Sequence, residues 1–208
     1  MPDFDLEINA GGLVAGIDEA GRGPWAGPVV AGAVVLDRKI LDPVLAIGLD
    51  DSKVLTQAKR EDLFAVLAES PAAITGIGLA SVEEIDSKNI LQATHLAMSR
   101  ALEDLVISVD IALVDGDRAP SLSCPVKTIV RGDSKSLSIA AASVLAKVTR
   151  DRLMGVLAED YPGYGWETNK GYGTAEHRDA INRIGLTIHH RKSYAPIRAI
   201  LQKNGALN

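Results

Sequence analysis

The stretch "GIDEAGRGPWAGP" runs from Gly16 to Pro28. An apolar run closes on two adjacent acids, Asp18 and Glu19, and is followed at once by Gly21, Arg22, Gly23 and two prolines. Neighbouring residues on a strand point to opposite faces, so the two carboxylates cannot sit side by side on one solvated face. One of them must look inward. The turn that follows approaches a dinucleotide-binding glycine loop, but Pro24 and Pro28 prevent a helix from starting there, and the phosphate-on-helix arrangement is lost.

Working outward, "LVAGID" (13–18), "PVVAGAVVL" (28–36) and "AAITGIGLAS" (72–81) read as strands rich in small and β-branched residues. The short link between the first two favours antiparallel pairing. An amphipathic helix is expected over 57–69, with Thr56 as N-cap and Pro71 just beyond its end. A long helix is expected over 85–105, then strands "IALVDG" (111–116) and "PVKTIV" (125–130). A second long helix over 138–160 carries alanines on the side that should meet a sheet, and shorter helices are expected near 174–184 and 194–202. The pattern is α/β. With no internal repeat or low-complexity linker, residues 1–208 read as one domain, with about 161–208 as a C-terminal helical appendage.

Composition narrows the setting. Apolar residues reach 47% while aromatics reach only 4%, which suits an aliphatic α/β core and argues against disorder. No apolar run is long enough to span a bilayer and the start lacks a signal-peptide pattern, so a cytoplasmic protein without membrane association is expected. A monomer is expected as well. The single cysteine, Cys124, excludes an intramolecular disulfide framework and reads as a half-buried, inert thiol. The formal net charge of −5 is unevenly spread: residues 161–208 hold 7 basic against 3 acidic side chains, and residues 1–160 hold 15 against 24. Bulk acidity therefore does not exclude a nucleic-acid partner, although a basic tail alone can be a solvated face.

Three acids occupy comparable places. Asp18 ends the first strand, Asp115 ends the fourth in "LVDGD", and Asp133 follows the fifth in "VRGDSKS". Each alone has an ordinary reading, an Asp–Gly turn or a helix cap. Together, carboxylates at strand ends of one sheet can converge on a crevice. Hard oxygen ligands gathered this way bind Mg²⁺ or Mn²⁺, whose usual work is phosphoryl transfer. His95 reads as a packing or surface histidine. His189 and His190, beside Arg191 and Lys192, could assist phosphate binding.

The blocks "GIDEAGRGPWAGPVVAGAVVL", "DDSKVLT", "LVDGD", "VRGDSKSLSIAAASVLAKVTRD" and "YGWETNKGYGTAEH" together resemble bacterial ribonuclease HII, the type 2 ribonuclease H family, in order across nearly the whole chain. The resemblance implies a ribonuclease H-like fold, a five-stranded mixed sheet flanked by helices, and no room before Leu13 for the additional N-terminal domain of the type 3 enzymes. It implies a metal-dependent endonuclease acting on RNA/DNA hybrids and on single ribonucleotides in duplex DNA, cutting on their 5′ side to leave 3′-hydroxyl and 5′-phosphate ends. The family's metal-binding acids fall on Asp18, Glu19, Asp115 and Asp133, with Mg²⁺ or Mn²⁺ as cofactor, two ions in the substrate complex. Its glycine-arginine-glycine turn falls on Gly21, Arg22 and Gly23. Its sugar-stacking tyrosine is matched to Tyr164 in the first "GYG". Ser52, Lys53, Lys135, Ser143, Lys147 and Lys170 are carried over as phosphate-contacting or site-supporting residues. Val54 stands where the family commonly has a second lysine, which leaves one such contact in question. Two other readings stay open at this point: another nuclease on the same fold, and a non-catalytic nucleic-acid-binding module.

Overall fold

The computed structural model describes residues 1–49 and 55–203. The five expected strands form, as β1 (Val14–Ala20), β2 (Val29–Leu36), β3 (Ala73–Ala80), β4 (Ile111–Asp115) and β5 (Val126–Ile129). They make one sheet in the order β3-β2-β1-β4-β5. β1 pairs antiparallel with β2, as its short connection requires, and parallel with β4. β2 pairs antiparallel with β3, and β4 pairs parallel with β5, so the sheet is mixed.

Short helices α1 (Asp5–Ala10) and α2 (Pro43–Gly48) precede α3 (Gln57–Glu69), which begins where Thr56 caps the Lys59 amide. The helix expected over 85–105 is instead two, α4 (Val82–Lys88) and α5 (Ile90–Asp104). Asn89 separates them at φ 72°, and its side-chain oxygen accepts from the Leu91 and Gln92 amides to start α5. α6 (Leu137–Asp160) follows a 3₁₀ turn at Gly132–Ser134; α7 (Trp166–Asn169), α8 (Ala175–Ile184) and α9 (Ala195–Lys203) complete the C-terminal segment. α1, α2 and α7 are too short to show a helical period in sequence.

α5 and α6 lie on opposite faces of the sheet. Ala15, Ile17, Ala112 and Val114 face α5, burying against Ala97, Met98 and Ala101. Val14, Leu113 and Ile129 face the other way onto Ile139 of α6. Each large aliphatic side chain fully buried here, such as Ile17 or Leu113, contributes roughly 1.5–3 kcal/mol. At Gly16 and Gly32 the backbone of the sheet meets the backbone of α6 directly. A Cβ at Gly16 would stand 2.2 Å from the Ser138 carbonyl carbon, and one at Gly32 would stand 2.5 Å from the Ala142 oxygen. Small residues on both surfaces therefore let α6 lie directly on β1 and β2, which places Ser143 and Lys147 over the carboxyl end of β1.

The C-terminal segment has its own apolar cluster around Trp166, Tyr164, Ile181 and Ile197, joined to α6 by Met154 and to the β1–β2 turn by Ala26. Among the described residues, no helix is long and apolar enough to cross a membrane.

Candidate active site

Ile17 of β1 pairs in register with Val114 of β4, so Asp18 and Asp115 leave these parallel strands as neighbours. Both lie on the α6 side of the sheet. Glu19, one residue on, alternates to the α5 side, where it faces Thr94, His95 and Met98. Asp18 is 4% exposed and the Glu19 side chain 12%, so both acids look inward, toward opposite faces, and meet at the strand end. A cleft of about 510 Å³ opens there, lined by Asp18, Glu19, Gly21, Arg22, Gly23, Arg60, Asp115, Ser143, Lys147, Arg150 and Tyr172.

The electrostatics of the cleft are those of crowded carboxylates. Burial first, then the charges of Glu19 and Asp115, hold the Asp18 carboxyl well above the ordinary value of 3.8. A hydrogen bond from Ser143 and one from the Glu19 amide at 2.7 Å offset this in part. Asp133 is buried but does not line the cleft; its neighbour Gly132 donates its amide to Asp115 Oδ1 at 2.6 Å, so the turn after β5 is tied to the acid that ends β4. The capping alternative for Asp133 is excluded, because Ser136 caps α6 through the Ile139 amide. Among the described residues no three His, Cys, Asp or Glu side chains are close enough together to grip an ion as they stand. The donor set nevertheless fits a hard divalent cation: all-oxygen ligands, with an excess of negative charge that a cation would relieve.

The Gly21–Arg22–Gly23 turn is held from below by two arginines, neither of which the sequence placed under it. Arg150 is 1% exposed and donates to the carbonyls of Pro28, Lys170 and Ala26. Arg191 is fully buried, donates to the carbonyls of Gly21, Arg22, Gly27 and Pro28, and so does not project into solvent as a phosphate ligand. Gly21 sits at φ 96°, and a Cβ there would fall 2.0 Å from Arg150 Nε. Only glycine fits. Arg22 is half exposed and pairs with Glu19 at 3.1 Å.

Several expected site residues stand elsewhere. Tyr164 is 4% exposed, stacks on Trp166 at 5.0 Å and donates its hydroxyl to the Gly185 carbonyl, so its ring is not accessible to a substrate. The tyrosine that reaches the cleft belongs to the second "GYG": Tyr172, 47% exposed, beside Gly23. Trp25 donates its amide to the Gly171 carbonyl at 2.8 Å, which carries this segment up to the turn. Lys147 lines the cleft and pairs with Asp151 at 2.8 Å. Lys135 and Lys170 do not line it; their ammonium groups donate to the Val130 and Glu167 carbonyls. Ser52 and Lys53 lie outside the described residues. His190 is fully buried, held between Thr187 and His177, and burial together with His177 pushes its imidazole down to about 3, so it does not offer a charge to phosphate. Cys124 is half-buried, and burial pushes its thiol up, in keeping with an inert side chain.

Comparison with known proteins gives the family. The family model described as Ribonuclease HII matches residues 15–196. The chain belongs to the ribonuclease HII family. A ribonuclease HII of Rhodospirillum rubrum is 58% identical over 204 residues, covering 98% of this chain and 94% of that protein. Among solved structures, the ribonuclease H2 of Pyrococcus horikoshii OT3 superposes with TM-score 0.77 at 30% identity, covering 91% of this chain and 97% of that one. Bst-RNase HIII in complex with Mn²⁺ superposes with TM-score 0.77 over the whole of this chain and 74% of that one; at 19% identity the likeness is one of fold. The fold is thus ribonuclease H-like, and as a ribonuclease HII family member the chain is an endoribonuclease H.

Proposed function

We propose that the chain is a divalent-metal-dependent endonuclease that hydrolyses the phosphodiester on the 5′ side of ribonucleotides, in RNA/DNA hybrids and at single ribonucleotides in duplex DNA, leaving 3′-hydroxyl and 5′-phosphate ends. The observation that carries this reading is one cleft lined at once by Asp18, Glu19 and Asp115 and by the Gly21–Arg22–Gly23 turn with Tyr172. Carboxylates alone would serve any nuclease. A glycine turn that brings backbone close to a sugar, beside an exposed aromatic ring, serves one that reads the 2′-hydroxyl.

Asp18, Glu19 and Asp115, with Asp133 on the turn fastened to Asp115, would hold Mg²⁺ or Mn²⁺, which supplies Lewis-acid activation of water and charge stabilisation at the leaving oxygen. The solved HIII relative with Mn²⁺ supports the choice of cation class. Ser143 fixes the Asp18 carboxylate through its hydrogen bond. Glu19 holds Arg22 at the cleft edge by their ion pair. Tyr172 offers its ring to the sugar, in the role that sequence had given to Tyr164. Lys147 and Arg60 bring positive charge to the rim for the phosphates.

The test is cleavage of a DNA duplex carrying one ribonucleotide, with Mg²⁺, with Mn²⁺ and with chelator, and with an all-DNA duplex beside it. A single metal-dependent cut 5′ to the ribonucleotide is expected, with an extendable 3′ end. Equal cleavage of the all-DNA duplex would overturn the reading.

A further inference from the structure

Resting on the reading that the Gly21–Gly23 turn recognises the ribonucleotide, we infer that Arg191 is a positioning residue that aims the amides of that turn into the cleft. The fully buried guanidinium donates through Nη2 to the Gly21 carbonyl at 2.6 Å and through Nη1 to the Arg22 carbonyl at 3.0 Å. Tyr194 adds a second donor to the Arg22 carbonyl from its hydroxyl, which itself accepts from Arg191 Nη1 at 2.8 Å. Among the described residues no peptide bond is cis. In a trans peptide the C=O of one residue and the N–H of the next point in opposite directions. With the Gly21 and Arg22 carbonyls drawn inward to Arg191, the N–H groups of Arg22 and Gly23 are turned outward. Among the described residues neither donates to another backbone group, and both residues are exposed beside Tyr172. Two adjacent outward N–H donors on a glycine-flanked turn suit an oxygen acceptor on the substrate sugar or phosphate.

The choice of arginine follows from the number of acceptors. The same guanidinium also holds the Gly27 and Pro28 carbonyls at 2.9 and 3.1 Å, so it ties both ends of the turn at once. An arginine has five N–H donors in a rigid fork, whereas lysine has three on a rotating point charge. Lysine cannot reproduce this set. Arg191 touches no substrate in this scheme and acts only through the peptide planes it orients.

The experiment compares Arg191→Lys, Tyr194→Phe and Gly23→Ala with wild type in the full chain. Three quantities are read: the ¹H–¹⁵N resonances of Arg22 and Gly23 in the free protein, kcat and KM on a single-ribonucleotide duplex, and Kd for an all-DNA duplex of equal length. Arg191→Lys should move both amide resonances and lower kcat/KM roughly tenfold to a hundredfold, as expected when reacting groups are misplaced, while all-DNA affinity changes little. Tyr194→Phe removes only one donor to the Arg22 carbonyl, so it should move the Gly23 resonance more than that of Arg22, with a smaller loss of rate. Should Arg191→Lys fail to fold, Tyr194→Phe decides: an unmoved Gly23 resonance overturns the inference. So does a folded Arg191→Lys with wild-type resonances and rate. Gly23→Ala separates the two claims, because wild-type cleavage by that variant removes the reading of the turn itself, whatever Arg191 does.

Discussion

The main-chain N–H of Gly132 donates to Asp115 Oδ1 at 2.6 Å, so the turn that carries Asp133 is fastened to the acid that ends β4. This contact makes Asp115→Asn an informative change. An asparagine oxygen can still accept from Gly132, so the turn should keep its place while the negative charge is lost. Removing one group that stabilises the transition state costs about 10²–10³ in rate, and a loss of that size is expected in Mg²⁺. Circular dichroism and Tm should stay close to wild type. Near-normal cleavage by Asp115→Asn would remove this residue from the site.

Asp18 links the site to stability. Its folded-state pKa lies above the ordinary 3.8, because burial and the neighbouring acids disfavour the charge. Between 3.8 and the raised value the folded protein keeps a proton that the unfolded chain has released. Stability of the cation-free protein therefore falls as pH rises through that window and stays lowered above it. In chelator near neutral pH, Asp18→Asn should melt above wild type, and the gap should close as pH falls toward 4. Divalent cation should raise the wild-type Tm more than that of the variant. Thermal melts across pH, with and without Mg²⁺, check this; a variant less stable than wild type at neutral pH in chelator would count against it.

How much of this was legible depends on the range of the interaction that decides each feature. That one of Asp18 and Glu19 must turn inward could be read from strand alternation, a local rule, and the Thr56 cap from its neighbours; that both do follows from α5 and α6 covering opposite faces of the sheet, which is not local. The break at Asn89 was missed although "SVEE" at Ser81–Glu84 carries the capping signature, realised as Ser81 Oγ accepting from Glu84 and Glu84 accepting from the Ser81 amide. That start signal, four residues ahead of the expected helix, marks a separate element. The choice between the two "GYG" copies was not local: it turns on Trp25 pairing with Gly171, residues far apart in sequence. Arg150 and Arg191 were hidden for a related reason. Arginine is ordinarily a surface residue, and the partners that allow its burial here are backbone carbonyls, which no sequence pattern displays.

Salt dependence separates the lysines. Each phosphate contact contributes a slope of about −0.9 in log K against log salt on duplex DNA. Lys147→Ala and Arg60→Ala, both at the cleft rim, should each make the slope shallower by about that amount. Lys135→Ala and Lys170→Ala should change it less, since neither lysine lines the cleft. Binding isotherms across a salt series, measured in chelator to prevent cleavage, give the four slopes. Identical slopes for all four variants would mean that position at the rim does not determine phosphate contact.

The two tyrosines should behave as opposites. Tyr172 is half exposed in the cleft, so Tyr172→Ala removes a surface that a sugar can stack on and exposes no core. Cleavage of a single-ribonucleotide duplex should fall roughly a hundredfold through misplacement at the reacting phosphate, with Tm nearly unchanged. Tyr172→Phe should lose only the hydroxyl's share, about 0.5–1.5 kcal/mol, or up to roughly tenfold. Tyr164→Ala instead empties a packed site between Trp166 and the histidines, and a large-to-small change of this kind costs about 3–5 kcal/mol of stability. Its kcat per folded molecule should stay near wild type at a temperature where it remains folded. Kinetics on the single-ribonucleotide duplex, paired with denaturant melts of the same preparations, give both axes. If Tyr164→Ala lost kcat without losing stability while Tyr172→Ala did not, the assignment would revert to the first "GYG", and the buried position of Tyr164 would have to open when substrate binds.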